Sequence, residues 1–107
     1  MTIKELQERC YKQAVEKGWA EKPVSVPEQV ALICSEACEA LEAWRGNEDT
    51  SWSDESGKPQ GLASEYADVV IRVLHYAQLE GFDLEFEIER KLAYNQTRPY
   101  RHGGKRA

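Results

Sequence analysis

The stretch from Leu62 to Glu80, LASEYADVVIRVLHYAQLE, constrains the fold more than any other. Set at about 100° per residue, Leu62, Tyr66, Val69, Val70, Ile71, Val73, Leu74, Tyr76 and Ala77 cover well over half of a helix. A helix that apolar should be largely buried. One polar stripe remains, Glu65, Asp68, Arg72 and His75, spaced three, four and three, so that all four side chains point the same way.

Three further helical segments accompany it. The first is expected from about Thr2 to Lys17, with Thr2 and Glu5 at capping-box spacing and Gly18 as the stop. The second starts near SVPE, where Ser25 and Glu28 repeat that spacing, and runs to about Arg45 before Gly46. Gly81 ends the 62–80 helix, Asp83 caps the fourth, and Pro99 forbids its continuation past about Thr97. Residues 46–60, GNEDTSWSDESGKPQ, read as a long polar loop, of the kind that is often functional or disordered. No stretch shows strand alternation, and the fold class read here is all-α, a four-helix protomer. The 107 residues suit one domain with a modest core, 1–107, with residues 98–107 as a basic tail.

On the second helix Val30, Ile33, Cys34, Ala37, Leu41 and Trp44 form an apolar face, read as core. Cys34 and Cys38 are read as small buried hydrophobes rather than zinc ligands, since no histidine lies near them in sequence. A second stripe, Leu32, Glu36, Glu39 and Ala43, is apolar at its ends and acidic in its middle. Glu36 and Glu39 have the same three-residue spacing as Glu65 and Asp68. Four carboxylates converging in a partly dry site repel one another, and some must take up protons unless a cation is supplied. Carboxylate oxygens suit a hard divalent ion, Mg²⁺ with Mn²⁺ as a substitute. The plain alternative is that both pairs are solvated helix surface. A di-iron bundle needs Glu-x-x-His, and Arg72 occupies the position three before His75, so that motif is absent.

The acid pairs carry a resemblance. E36-x-x-E39 followed, after 25 intervening residues, by E65-x-x-D68 is similar to the metal motif of the MazG-like all-α nucleoside triphosphate pyrophosphohydrolases, the superfamily that includes dCTP pyrophosphatases. The family often doubles the first glutamate, whereas Ser35 stands there in this chain. The closing segment RKLAYNQTRPY also resembles the family's, with Lys91 and Asn95 at matching positions. The resemblance spans roughly residues 26–101. It implies hydrolysis of a nucleoside triphosphate to monophosphate and pyrophosphate, with Mg²⁺ held by Glu36, Glu39, Glu65 and Asp68, and Glu36 or Glu39 as the base that activates water. Lys91 and Asn95 are then expected to bind phosphate or sugar, and Arg98 and Tyr100 to close over the ligand. It also implies a homodimer or homotetramer with sites near subunit contacts. Trp19 is a candidate to stack on the base, Trp44 is expected in the core, and Trp52 is a candidate lid anchor.

Charge leaves another class open. The chain carries a net charge of −5, yet from Arg90 onward there are basic residues and no acidic ones. An acidic body with a basic tail suits a non-catalytic helical module for nucleic acid, nucleotide or protein. The acid pairs weigh against nucleic acid, because they set negative charge beside phosphate. The charged first residues, MTIKELQERC, resemble no secretory signal, and three cysteines, an odd number, fit a reducing compartment, so a cytoplasmic protein without membrane attachment is expected.

Overall fold

The computed structural model describes residues 1–100. Four helices follow in order: α1 (Ile3–Glu16), α2 (Val26–Arg45), α3 (Leu62–Glu80) and α4 (Leu84–Gln96), with two short strands, β1 (Trp52–Ser53) and β2 (Pro59–Gln60), between α2 and α3. The fold is all-α apart from this hairpin. Among the described residues no helix is long and apolar enough to cross a membrane.

The helix ends lie where the side chains can satisfy them. Thr2 and Glu5 close a reciprocal capping box on α1. The Ser25 hydroxyl accepts from the Glu28 amide at 3.4 Å, with Pro27 in the first turn of α2. The Asp83 carboxylate accepts from the Phe86 amide at 3.0 Å. Gly81 takes the left-handed conformation, φ 76°, and the Phe82 amide reaches back to the Ala77 carbonyl at 2.8 Å. At the end of α2 the left-handed residue is Asn47, not Gly46.

α3 is the central element. α1 and α2 pack against it, and α4 touches α1. The buried contacts are mostly small, Ala14, Ala40, Ala43 and Ala77 around Leu74 and Tyr76, which lets the helices approach closely. Two buried glutamines tie the C-terminal end of α3 to its neighbours. The Gln7 amide donates to Gln78 Oε1 at 2.9 Å and to the Phe82 carbonyl at 2.7 Å. The Gln29 amide donates to the Val24 carbonyl at 3.0 Å and to Glu80 Oε2 at 3.3 Å.

Three sequence expectations need correction. Residues 46–60 contain an antiparallel hairpin, Trp52 opposite Gln60 and Ser53 opposite Pro59. Strands of two residues are too short to alternate visibly, and a side chain rather than a turn dipeptide organises them. Asp54 Oδ1 accepts from the Ser56 hydroxyl at 2.6 Å, the Ser56 amide at 2.9 Å and the Lys58 amide at 3.0 Å, and Oδ2 accepts from Gln60 Nε2 at 3.1 Å. These bonds, the Ser56 hydroxyl first, pull the Asp54 carboxyl down to about 2. Second, Cys34 and Cys38 are exposed thiols, not buried hydrophobes. Third, the expected core face of α2 turns outward: Val30 and Leu41 are exposed, and Trp44 is 65% exposed. α3 likewise leaves Tyr66, Val70 and Ile71 exposed. A helical wheel identifies an apolar face but not what covers it. The radius of gyration, 16.5 Å, agrees with this open packing; a compact chain of this size has about 13 Å.

Gly61 fastens the hairpin to α3. Its φ of 105° and ψ of 171° lie in a region open only to glycine. A side chain there would collide with the backbone carbonyls of Asp49 and Thr50. Gly61→Ala is therefore expected to lower the free energy of unfolding by at least about 1–3 kcal/mol, the cost of that backbone conformation alone. Urea denaturation of wild type and variant measures it; an unchanged midpoint would show that this crossing is not fixed in solution.

Candidate metal centre

The acid pairs converge because α2 and α3 run side by side and each carries two carboxylates on its facing side. Oxygens of Glu36, Glu65 and Asp68 all lie within 4.8 Å of one another. Glu39 falls outside this trio but lines the same cavity. The cavity, of about 590 Å³, is walled by Trp19 and Lys22 from the α1–α2 connector, Lys58 from the hairpin, and Arg72 and His75 from α3.

Among the described residues, Arg72 is the one basic side chain bonded into the cluster. Its Nη2 donates to Glu36 Oε1 at 2.6 Å and its Nη1 to the Tyr76 hydroxyl at 3.2 Å. Glu65 has no such support: its Oε2 is buried without a hydrogen-bond partner. Burial raises the Glu65 carboxyl above the ordinary range, and Asp68, Glu39 and Glu36 raise it further. Asp68 is raised too, by burial and then by Glu36. Burial, followed by the charge of Arg72, lowers the pKa of His75, whose Nε2 is buried without a partner. Its ring stacks on Tyr76 with centroids 5.0 Å apart. His75 is thus a packed side chain at the rim of the acids.

The donor set fits a hard cation. Only oxygen is offered, three carboxylates lie within reach of one ion, and one buried oxygen lacks any partner. Glu36, Glu65 and Asp68 would hold such an ion, with Glu39 beside them.

The other expected site residues lie elsewhere. Lys91, Asn95, Arg98 and Tyr100 are exposed on or just beyond α4, and none lines the acid cavity. The remainder of the basic tail, Arg101, Lys105 and Arg106 included, lies outside the described residues. Trp19 is at the cavity wall as expected. Trp52 instead sits in β1, its Nε1 donating to Glu48 Oε1 at 3.2 Å. Trp44 lines a second, larger groove of about 730 Å³ with Leu41, Leu62, Tyr66 and Val70, on the apolar face of α2 and α3. The carboxylates line the other cavity, not this groove. Sequence reasoning assigned no role to Lys22, Lys58 or Arg72. Arg72 was visible on the acid stripe, but a lysine delivered by a folded loop has no periodic signal.

Compared with protein-family models, curated proteins and solved structures, the chain matches none.

The raised carboxyls fix the sign of a pH effect. Between the ordinary carboxyl range and the raised folded value, the folded state holds protons that the unfolded state has released. Stability of the metal-free protein from these groups therefore falls as pH rises through that window. Added Mn²⁺ should reverse this at neutral pH, raising the melting temperature by several degrees, since ligand at about 100 times its Kd contributes about 2.7 kcal/mol. Glu65→Gln is expected to raise the melting temperature without metal and to abolish the Mn²⁺ response. Differential scanning fluorimetry with and without Mn²⁺ checks both; a wild type indifferent to Mn²⁺ would return the acids to solvated surface.

Proposed function

We propose that this protein is a Mg²⁺-dependent nucleoside triphosphate pyrophosphohydrolase that releases nucleoside monophosphate and pyrophosphate. The observation that carries the reading is the partnerless buried oxygen of Glu65 amid converging carboxylates, an arrangement that a divalent cation would relieve. The resemblance of E36-x-x-E39, E65-x-x-D68 and the Lys91–Asn95 segment to the MazG-like enzymes supports the choice of substrate.

In this reading Glu36, Glu65 and Asp68 bind the metal. Bound Mg²⁺ supplies charge neutralisation on the phosphate chain. Glu39 is the better-placed base: Glu36 is engaged by Arg72, whereas Glu39 is exposed on the cavity wall. Its carboxylate accepts the proton of the water that attacks the α-phosphorus, the bond from the α-phosphorus to the α,β-bridging oxygen breaks, and pyrophosphate leaves carrying that oxygen. Trp19 offers an aromatic face for the base at the other side of the cavity.

The acting unit is a homodimer or homotetramer. Leu41, Trp44, Tyr66 and Val70 make a continuous apolar groove, with Trp44 and Tyr66 65% and 62% exposed, a patch suited to a second copy. Lys91 and Asn95 lie away from the acids of their own protomer, so a partner's α4 is the route by which they take part.

Two measurements test these statements. Pyrophosphate release from a panel of normal and modified nucleoside triphosphates is expected with Mg²⁺ or Mn²⁺ and not with chelator. Asp68→Asn and Glu39→Gln should each reduce turnover by about 10²-fold or more, the scale of a lost catalytic group; turnover surviving both would sink the reading. Separately, light scattering should give a multiple of the 12.2 kDa chain mass for wild type and a smaller species for Trp44→Glu. A wild type monomeric at micromolar concentration would overturn the subunit proposal.

A further inference from the structure

The hairpin between α2 and α3 has a structural peculiarity that the acid cluster does not explain. Its sequence is polar, yet its backbone is held at several points between Asp54 and Ala63. The Lys58 amide donates to Asp54 Oδ1 at 3.0 Å, and the Lys58 carbonyl accepts from the Asp54 amide at 3.0 Å. Pro59 and Gln60 pair with β1, Gly61 passes under the Asp49 and Thr50 carbonyls, and the Ala63 amide donates to Thr50 at 3.0 Å. The backbone at Lys58 is thereby fixed relative to Glu65 and Asp68, only one or two turns into α3.

The Lys58 side chain has no comparable restraint. It is exposed, it lines the acid cavity, and among the described residues it forms no ion pair. It shares that cavity wall with the carboxylates of Glu36, Glu39 and Asp68. A fixed backbone carrying an unpaired ammonium on the same cavity wall as the carboxylates is suited to two positions. One neutralises the acids. The other reaches an anion that arrives with a metal ion.

We propose that Lys58 is a phosphate-binding residue of this site, delivered by the hairpin, whose ammonium balances the carboxylates in the metal-free protein and transfers to the di- or triphosphate of the bound nucleotide once a divalent cation neutralises them. This rests on the pyrophosphohydrolase reading and adds to it a lysine that belongs to the same protomer as the acids. Lys91, the lysine expected from the closing segment, lies on α4 away from them. The consequence is an exchange: Lys58 competes with the first metal ion and cooperates with the phosphate that follows. A lysine that was only solvated surface would do neither.

The test uses the full chain and two inorganic probes, so it does not depend on knowing the base. Calorimetric titration gives the affinity for Mn²⁺ alone, and then for pyrophosphate at saturating Mn²⁺. Lys58→Met should tighten Mn²⁺ about threefold and weaken pyrophosphate about tenfold, the scale of one charge-assisted contact. Lys58→Arg should restore pyrophosphate binding, and Lys12→Met, on an exposed position of α1, should change neither. Lys58 is exposed, so the variant is expected to fold, and circular dichroism confirms it. Unchanged affinities for both probes in Lys58→Met would overturn the proposal. If wild type binds Mn²⁺ and pyrophosphate but hydrolyses no nucleotide, the catalytic reading fails while the two affinities still decide the role of Lys58. If wild type binds no Mn²⁺, both fall together.

Discussion

Like-charge repulsion along the seam between α2 and α3 governs much of this structure. Oxygens of three carboxylates lie within 4.8 Å of one another, and among the described residues one guanidinium, Arg72, is bonded to them, at Glu36. At such separations in a partly dry site, repulsion between unit charges is large enough to shift protons. Ala40 and Ala43 of α2 are buried along this helix. The small residues bring the backbones together, and this approach is what forces the acids to meet. Packing and charge are therefore opposed along this seam.

The two sides of α2 divide the work. One side, turned to α3, carries the acids and the alanines. The other presents Val30, Leu41 and Trp44 outward, and Leu41 and Trp44 share a groove with Tyr66 and Val70 of α3. The protomer leaves large apolar side chains exposed while burying mainly small ones. Large apolar side chains left exposed in this way mark a surface suited to contact.

Much of this was legible in the sequence. The helices were readable from periodicity and caps because Thr2, Ser25, Gly81 and Asp83 act on backbone groups only a few residues away. The convergence of Glu36, Glu65 and Asp68 was readable because two equal spacings on two apolar helices leave few other arrangements. The orientation of the apolar face of α2 was not readable, since hydrophobicity states that a surface is covered without saying by what. Cys34 and Cys38 were misplaced for the same reason. The hairpin was illegible because it depends on one carboxylate, Asp54, satisfying four donors, which leaves no periodic trace. Residues that line the cavity from irregular segments, Lys22 and Lys58, share that blindness.

The two fastenings of α3 have a joint consequence. At its C-terminal end Gln7 and Gln29 tie it to α1 and α2; at its N-terminal end Gly61 and Ala63 are locked beneath the chain that leaves α2. The acids lie between these two anchorages. A seam held at one end would relax by splaying, and the carboxylates would drift apart at little cost. Held at both, it has no such escape, and the repulsion can be discharged only by a proton or a cation. An ion binding here would meet carboxylates already assembled, so little conformational entropy would remain to be lost on its arrival.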